Sequence, residues 1–360
     1  MPKNSFFSRK LYNFLKKFLA VEENTDRNLG YLKNILVIRQ HNQFGDLLAS
    51  VSLFRAIKET YPKSKLTVIV SPENHYAVEQ NEFIDTIFLF NKKKLLNPFY
   101  IAKIIKLFRA EYDATVVPVT VAISFTSCLL ARLSNSKTRI GPASLDGSKN
   151  RYDFLFDRKV HIDWTKNPDA HVSDYGLDIV RPFGIKTKNY LSSISFNAEN
   201  RKSANDFINS LSKKGNDLLI GMHIGAGKAK NRWSIEKYST LTEKLNKKFK
   251  VKIYITGSKS DRNEISFFTK KVRVTCGYFL DHSIPELAAL ISKSDLFITN
   301  DTGVMHVAGA TSTPQISIFG PTNPFNWAPI GVNKYFLRKS ELIDDVSVDD
   351  VFKLCERILT

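Results

Sequence analysis

The chain has 360 residues, of which 43% are hydrophobic, and its 53 Lys and Arg outnumber its 35 Asp and Glu to give a formal net charge of +18. This composition excludes an intrinsically disordered protein, and the length predicts two domains that each bury a core. No run approaches the ~20 apolar residues that cross a bilayer, and the N-terminus lacks the pattern of a cleaved secretion signal.

The excess of positive charge indicates an anionic partner or an anionic environment. Phospholipid headgroups and phosphorylated small molecules both remain open. Nucleic acid is not expected, because the sequence contains no recognition-helix, zinc-finger or aromatic RNA-binding pattern. Three widely separated cysteines, Cys128, Cys276 and Cys355, stand in apolar-periodic segments, so we expect buried free thiols and a cytoplasmic location.

Residues 1–30 form a separate predicted segment, a basic N-terminal extension. Its first twenty residues combine apolar side chains at helical spacing with Lys and Arg, and they contain no Asp or Glu. The apolar residues are Phe7, Leu11, Phe14, Leu15, Phe18 and Leu19, and the basic ones are Lys3, Arg9, Lys10, Lys16 and Lys17. The pattern predicts a basic amphipathic helix that lies either on anionic lipid or on the surface of the protein itself.

Residues 31–190 alternate between short apolar runs and stretches of helical periodicity, which predicts a Rossmann-like domain with a parallel sheet covered on both faces. Gly184 is expected to end the last helix of this domain. The predicted strands are residues 35–38, 66–70, 86–90 and 115–119, and the predicted helices are residues 46–61, 95–108 and 174–183.

A polar stretch at residues 186–200 is the predicted linker, and a second alternation then fills residues 200–335. Ser234 is expected to cap one helix, and Ser283 and Glu286 have the spacing of a capping box. The predicted strands are residues 218–224, 251–256, 296–299 and 315–319, and the predicted helices are residues 234–245 and 287–291 with another entered at 301–310. Residues 336–360 are assigned to a C-terminal segment with a helix. The sequence thus predicts an α/β protein with two doubly wound domains facing across a ligand cleft.

The first candidate site is the polar loop after the first strand, which contains Arg39, His41, Asn42, Gln43 and Asp46. A carboxylate at the start of a helix ordinarily caps it. The functional alternative for Asp46 is a general base that removes a proton from an acceptor hydroxyl.

The second candidate site follows the strand at 218–224, where Gly225 and Gly227 precede Lys228, Lys230 and Arg232. Small residues allow close approach of the backbone to a phosphate, and the cations could neutralise its charge. A plain basic turn is the alternative interpretation.

The third candidate site follows the strand at 296–299 and contains Asp301, Thr302, Gly303 and His306. The backbone N–H groups of Thr302 and Gly303 at a helix N-terminus predict an anion site, one turn before His306. Asp301 could cap that helix or bind a sugar hydroxyl. The sequence has no Asp-x-Asp pair, so neither a metal nor another cofactor is expected, and cationic side chains and helix ends take that role.

Taken together, these segments resemble glycosyltransferase family 9, the lipopolysaccharide heptosyltransferases, which have the two-domain GT-B architecture. The likeness extends from about Asn34 to about Gly331. It is carried by residues 35–39 with Gly45, Asp46, Tyr61 and Pro62, by residues 223–227 with Arg232 and Trp233, by residues 300–303 with His306, and by residues 319–322.

The resemblance implies that the N-terminal domain binds the acceptor and the C-terminal domain binds the nucleotide sugar. Asp46 matches the catalytic base, and the loop from Asp301 to His306 matches the part that binds the donor diphosphate and sugar. The family often has Lys two residues before the Trp, where this chain has Asn231. The cation that meets the diphosphate is therefore Lys228 or Lys230, with Arg232 in support.

The expected reaction is an inverting transfer, with a heptose moving from ADP-heptose to a lipopolysaccharide core or a related cell-surface glycan. The acceptor would be lipid-linked or an oligosaccharide, and the enzyme peripheral at the inner face of the cytoplasmic membrane. Two alternatives stay open at this point, namely a GT-B-shaped nucleotide-sugar epimerase and a non-catalytic protein that binds membrane or polysaccharide.

Overall fold

The computed structural model describes residues 6–40 and 44–360. The chain divides into two compact units. The N-terminal unit contains the chain to His75 and residues Glu82–Tyr190, and the C-terminal unit contains Tyr76–Asn81 and Leu191–Thr360.

The N-terminal unit is built on a seven-stranded sheet with the order β3-β2-β1-β4-β5-β6, in which β7 also pairs with β5. Its pairs are parallel except for the short β5–β6 hairpin. The strands are β1 (Asn34–Arg39), β2 (Lys65–Val70), β3 (Thr86–Leu89), β4 (Tyr112–Val116), β5 (Ser136–Leu145), β6 (Ser148–Lys149) and β7 (Arg158–Ile162). The helices are α1 (Phe6–Leu19), α2 (Phe44–Ala49), α3 (Val51–Thr60), α4 (Pro98–Arg109), α5 (Phe125–Leu133) and α6 (Val172–Asp178).

The C-terminal unit contains a six-stranded, all-parallel sheet with the order β10-β9-β8-β11-β12-β13. Its strands are β8 (Leu218–His223), β9 (Val251–Gly257), β10 (Gly277–Leu280), β11 (Leu296–Asn300), β12 (Gln315–Ile318) and β13 (Lys334–Leu337). The helices are α7 (Ala198–Ser210), α8 (Ile235–Lys248), α9 (Arg262–Lys271), α10 (Ile284–Ile291), α11 (Gly303–Gly309), α12 (Pro324–Trp327) and α13 (Val348–Leu359).

Both sheets follow the Rossmann-like order in which the third, second and first strands precede the fourth and fifth. The order reverses between β1 and β4 in one unit and between β8 and β11 in the other. Loops that leave the carboxyl ends of these neighbouring strands diverge and open a crevice, which is where doubly wound sheets bind ligands. The three candidate sites all follow strands at these two points.

Local signals in the sequence account for several boundaries. Ser283 and Glu286 form the predicted capping box at the start of α10, with each side chain bonded to the other's backbone. Ser234 stands at the N-cap position of α8, as expected. Gly184 has φ 78° and ends the helical stretch after α6, which confirms the predicted stop because this left-handed conformation favours glycine.

Other elements differ from the prediction. The single helix predicted over residues 46–61 is two helices, α2 and α3, that meet at Ser50. Amphipathic periodicity did not identify four helices and five strands of the described residues, because their short or mixed patterns carry a weak signal. These elements are α5, α7, α9, α12, β5, β6, β7, β10 and β13. Residues 336–360 are not a separate segment, because β13 joins the sheet and Val351, Leu354 and Cys355 of α13 enter the core of the C-terminal unit.

The N-terminal helix α1 packs on the N-terminal unit through one face. Tyr12, Leu15 and Leu19 contact the apolar cluster under the sheet, and the ring of Tyr12 meets that of Phe154 edge-on at 5.8 Å. The opposite face presents the exposed rings of Phe14 and Phe18. Of the two predictions for this helix, packing on the surface of the protein itself is therefore confirmed for one face.

The cysteines lie apart as free thiols, with Cys128 and Cys355 buried and Cys276 half-buried. Burial raises the pKa of Cys128 to about 12 and that of Cys276 to about 11, so these thiols stay protonated and unreactive. Within residues 6–40 and 44–360, no helix has both the length and the apolar character that crossing a membrane requires.

Candidate active site

In the N-terminal unit, a buried network joins the loops that follow β1 and β4. Arg39 is the last residue of β1, Asp46 lies in the first turn of α2, and Thr120 follows β4. The Nη2 atom of Arg39 donates to Thr120 Oγ1 at 2.8 Å, and Thr120 Oγ1 donates to Asp46 Oδ2 at 3.0 Å. Arg39 Nη2 also lies 3.4 Å from Asp46 Oδ2. The structure thus brings the predicted base and Arg39 together at the switch point of the sheet.

Ser50 completes this network from the side of the helix. Arg39 Nε donates to Ser50 Oγ at 3.1 Å, and Ser50 Oγ donates to the main-chain oxygen of Asp46 at 2.8 Å. Burial lowers the pKa of Arg39, and the nearby Asp46 carboxylate partly opposes this shift. The Nη1 atom of Arg39 is buried and has no hydrogen-bond partner among the described residues. The guanidinium of Arg39 therefore orients the Asp46 carboxylate, and its Nη1 donor has no bond within the described residues.

The carboxylate of Asp46 is bonded by side chains of other elements. Asp46 is the third residue of α2 and lies inside its first turn, so it does not occupy the N-cap position that the capping interpretation requires. The contacts that define the orientation of its carboxylate come from Arg39 and Thr120. Thr120 was not among the predicted site residues. It is the first polar residue after the predicted strand 115–119, beyond the carboxyl end of the strand beside β1, and that position is the signal that could have identified it.

The remaining predicted acceptor-side residues, His41, Asn42 and Gln43, lie outside the residues that the structure describes. Their neighbour Gln40 is buried, and its amide donates to the hydroxyls of Ser124 and Ser127 at 3.0 Å and 3.4 Å. Gln40, the first residue of the loop after β1, is therefore hydrogen-bonded to the start of α5.

In the C-terminal unit, Asn300 at the end of β11 joins the loop that follows β8. Its amide nitrogen donates to the main-chain oxygens of Ile224 and Gly225 at 3.0 Å and 3.1 Å. Its amide oxygen accepts from the backbone N–H of Trp233 at 3.2 Å and from the hydroxyl of Tyr238 at 3.0 Å. Because every one of these groups is buried, Asn300 fixes the path of the loop from residue 224 to residue 233.

Asp301 connects three loops at the carboxyl edge of this sheet. Asn231 Nδ2 donates to Asp301 Oδ2 at 2.8 Å and to its main-chain oxygen at 3.2 Å. The hydroxyl of Thr322, from the loop after β12, bonds to the same carboxylate. Burial raises the pKa of Asp301, while Thr322 and the positive charge of Lys228 act in the opposite direction. Asn231, two residues before Trp233, and Thr322 thus together hold the Asp301 carboxylate.

The glycines of the loop after β8 have different surroundings. A Cβ atom on Gly225 would clash with the carboxylate of Asp261, which itself accepts bonds from Ser258, so any larger residue there would force Asp261 to move. Gly227 is exposed, and a Cβ atom on it would meet nothing within 4 Å. The absence of a side chain at Gly225 therefore allows the loop to pack against Asp261. At Gly227 it leaves the backbone of the loop accessible from outside.

The three predicted cations of this loop are not equivalent. Arg232 is half-buried, where it donates to the main-chain oxygen of Ala226 at 2.8 Å and forms an ion pair with Glu264. Lys228 and Lys230 are exposed, and neither forms an ion pair within the part of the chain that the structure describes. Arg232 thus stabilises the loop, whereas the two lysines are available to an anion.

The other predicted donor-site residues lie at the start of α11. Thr302 occupies the N-cap position, and Gly303 is exposed at the first helical position, where a Cβ atom would meet nothing within 4 Å. His306 is half-buried one turn later, and its ring lies 6.5 Å from that of Trp327. The cluster at this edge is therefore an acid, two exposed lysines, open backbone and an aromatic pair.

The sequence of this chain matches the family described as "Glycosyltransferase family 9 (heptosyltransferase)" over residues 101–351. It is 24% identical over 297 residues to lipopolysaccharide heptosyltransferase 3 of Escherichia coli, which covers 79% of this chain and 83% of that protein.

Two solved structures share the fold. The glycosyl transferase family 9 protein of Veillonella parvula superposes with a TM-score of 0.80 at 20% identity over 95% of this chain and 99% of that one. The E. coli ADP-heptose lps heptosyltransferase II does so with a TM-score of 0.72 at 18% identity over 91% and 98%. The predicted GT-B fold class is thus confirmed. Since the family match covers more than two thirds of the chain, this protein is a glycosyltransferase that belongs to family 9, the heptosyltransferase family.

Proposed function

We propose that the protein moves a heptose from ADP-heptose onto a lipopolysaccharide core or a related cell-surface glycan, with inversion at the anomeric carbon. The observation that carries the proposal is the cluster around Asp301, which joins the loops after β8, β11 and β12 beside the exposed Lys228. A carboxylate for sugar hydroxyls next to cations for a diphosphate is what a nucleotide-sugar site requires. The name of the E. coli structural relative supplies ADP-heptose as the donor, and that of the curated relative supplies lipopolysaccharide as the acceptor class.

In the proposed reaction, Asp46 accepts the proton of the acceptor hydroxyl while that oxygen attacks the anomeric carbon. The bond from that carbon to the diphosphate oxygen breaks, and its electron pair leaves with the nucleotide diphosphate. Lys228 and Lys230 bind the departing charge, together with the backbone N–H groups of Thr302 and Gly303. Arg232 contributes indirectly, because its bonds to Ala226 and Glu264 stabilise the loop that carries both lysines.

Metal-independent transfer is part of the proposal, because cations and backbone donors can take the role of a divalent ion. Its check is the rate of transfer after treatment with EDTA and gel filtration. An unchanged rate supports the proposal. A rate that falls and returns when Mg²⁺ or Mn²⁺ is added contradicts it.

The base assignment is tested with Asp46→Asn, which keeps the volume of the side chain and its acceptor oxygen beside Arg39. We expect turnover to fall roughly a hundred- to ten-thousandfold while the donor dissociation constant changes little. Asp46→Ala, which removes the carboxylate altogether, should abolish turnover in the same way. Near wild-type turnover in either folded variant would eliminate Asp46 as the base.

The donor is tested with a thermal-shift panel of ADP-, UDP- and GDP-sugars. ADP-heptose should raise the unfolding temperature most, because a ligand that binds only the folded state stabilises it. Product analysis with donor alone, and then with a lipopolysaccharide-core acceptor, separates transfer from epimerisation. An isomerised donor without acceptor would favour an epimerase, and a lack of protection by every nucleotide sugar would favour a non-catalytic binding protein.

We also propose that the enzyme works at the inner face of the cytoplasmic membrane, where α1 contributes to binding anionic lipid. Its outward face presents Phe14 and Phe18, and the Nζ atom of Lys17 lies 5.9 Å from the centre of the Phe18 ring. The other face of α1 packs on the N-terminal unit, so the test uses a Phe14→Ser/Phe18→Ser variant, which changes only the outward face and should bind anionic vesicles more weakly. Salt-insensitive, unchanged binding to anionic vesicles would contradict this role.

A further inference from the structure

A second surface of the N-terminal unit combines exposed apolar side chains with positive charge, and it lies apart from α1. It consists of the turn at residues 92–97 and the outward face of α4. The side chains of Leu96 and Phe99 are 96% and 81% exposed. Leu95, Ile101 and Ile105 are also exposed, so exposed apolar side chains occur in the turn and in the first two turns of the helix.

This exposure is not a sign that α4 is loosely attached. Ile104, Leu107 and Phe108 pack against the apolar cluster of the unit. The hydroxyl of Tyr100 donates to the main-chain oxygen of Leu89 at 2.8 Å and accepts from the backbone N–H of Asn91 at 2.6 Å. One face of the helix is therefore fixed in the fold, and the other presents Phe99, Ile105 and their neighbours outward.

The same segment carries a high positive charge. Between residues 92 and 109 the sequence contains six basic residues and no acidic one. None of the six forms an ion pair anywhere in residues 6–40 and 44–360. They are Lys92, Lys93, Lys94, Lys103, Lys106 and Arg109.

The charge and the apolar side chains together select the class of partner. A second copy of the chain would bring six cations from each molecule together, which opposes self-association. Nucleic acid would use the cations, but the aliphatic side chains of Leu95, Leu96 and Ile105 would gain little from it. An anionic bilayer binds both the cations and the apolar side chains. The lysines contact the headgroups, while Leu and Phe side chains insert at the boundary between headgroups and acyl chains.

We propose that the turn at residues 92–97 and the outward face of α4 form a membrane-contact surface for anionic phospholipid. Leu96 and Phe99 enter the bilayer to a depth of roughly 5–10 Å, and the surrounding cations bind phosphate groups. Both α1 and α4 pack against the same apolar cluster, so the layer of helices on one side of the sheet contributes both contacts. The proposal deepens the peripheral membrane location proposed above, although its own observations concern the N-terminal unit alone.

The test compares full-length protein with a Leu96→Asn/Phe99→Ser variant on vesicles of phosphatidylglycerol and phosphatidylethanolamine. We expect the dissociation constant for these vesicles to rise at least about tenfold, with an unchanged unfolding temperature because both side chains are exposed. The matched control is Val332→Asn/Phe267→Ser, which removes an exposed aliphatic and an exposed aromatic side chain from the C-terminal unit. Equal binding by the wild type and the α4 variant would overturn the proposal.

Charge is tested separately with Lys92→Gln/Lys93→Gln/Lys94→Gln against the control Lys214→Gln/Lys247→Gln/Lys250→Gln. The first triple variant should lose most of the preference for anionic over phosphatidylcholine vesicles, and the second should lose little. Loss of that preference to the same extent in both would show that net charge alone drives binding, which would contradict a defined surface.

A direct readout comes from Leu96→Cys labelled with an environment-sensitive dye, since the native cysteines are buried or half-buried. A blue shift on adding anionic vesicles supports insertion, and an unchanged spectrum contradicts it. A concentration-dependent shift without lipid would assign the surface to a second copy, and a shift on adding RNA would assign it to nucleic acid.

Transfer to a lipid-free acceptor fragment distinguishes this proposal from the proposed function. The Leu96→Asn/Phe99→Ser variant should glycosylate the fragment at the wild-type rate. If neither protein transfers any sugar while the vesicle difference holds, the proposed reaction fails and the membrane surface stands. If both transfer sugar and bind vesicles equally, the reaction stands and the surface assignment fails.

Discussion

The Nη2 atom of Arg39 lies 3.4 Å from the Oδ2 atom of Asp46, and both side chains are almost completely buried. The pair joins the end of β1 to the first turn of α2, and Thr120 bonds to both members. A buried ion pair of this kind orients its carboxylate. Removing either partner leaves the other as an unpaired buried charge, which destabilises the folded protein.

We therefore expect Arg39→Met to destabilise the protein by about 3–5 kcal/mol, because it leaves the Asp46 carboxylate buried without its cation. The double variant Arg39→Met/Asp46→Leu should recover much of that loss, since it removes both charges. Urea unfolding followed by circular dichroism measures both. Lys137→Met, which breaks the exposed ion pair with Asp113, is the control and should change the free energy of unfolding little. A loss in Arg39→Met no larger than in this control would refute the coupling.

The two glycines of the loop after β8 should respond differently to alanine. Gly225→Ala places a Cβ atom where it clashes with the Asp261 carboxylate, so we expect a loss of roughly 1–3 kcal/mol in the free energy of unfolding. Gly227→Ala has open space and should leave stability unchanged. If the exposed backbone of this loop approaches the donor diphosphate, Gly227→Ala weakens donor binding in calorimetric titration. Equal stability of the two variants would show that the contact with Asp261 relaxes without cost.

Asn231→Ala should weaken donor binding through Asp301. The change removes the bond to Asp301 Oδ2 and leaves a partly buried carboxylate with fewer donors, an effect of about 1–3 kcal/mol. We expect the donor dissociation constant to rise roughly tenfold or more. Asn209→Ala, an exposed amide on α7 of the same unit, provides the comparison. Matching donor affinities in the two variants would exclude a role for the bond between Asn231 and Asp301.

The stability of the protein should depend on pH through His223. Burial lowers the pKa of this histidine below its ordinary value of 6.5, with the charge of Asp261 partly opposing the shift. In the unfolded chain His223 takes up a proton near pH 6.5, whereas in the folded chain it does so only at lower pH. The contribution of His223 to the free energy of unfolding is therefore complete above about pH 6.5, the pKa of an unfolded histidine. It is lost as the pH falls from there towards the lower pKa of His223 in the folded protein.

Urea unfolding of wild type and His223→Asn between pH 7.5 and pH 4.5, a range of roughly three units around the ordinary histidine pKa, measures this contribution. The free energy of unfolding should fall more steeply with decreasing pH in the wild type. His161→Gln serves as the control, because it removes an exposed imidazole. A wild-type slope equal to that of His223→Asn would remove His223 as the source.

Much of the fold follows from the sequence alone, because its signals are local. Runs such as Ile35 to Ile38 indicate buried parallel strands, and the spacing of Ser283 and Glu286 indicates a helix start. Alternation of such segments is sufficient to predict two Rossmann-like domains, and polar residues after buried strands identify Asp46 and Asp301 as candidates. The edge elements β10 and β13 carry weak local signals, so their assignment depends on pairing with β9 and β12.

What each candidate side chain does was decided only by tertiary structure. The sequence does not show that Thr120 bonds to both Arg39 and Asp46, which are 81 and 74 residues away. Nor does it show that Arg232 pairs with Glu264 while Lys228 and Lys230 stay exposed, or that Phe99 points outward on a helix whose other face is packed. These roles depend on contacts between residues far apart in the chain, and those contacts form only when parallel strands bring their carboxyl ends to one edge of a sheet.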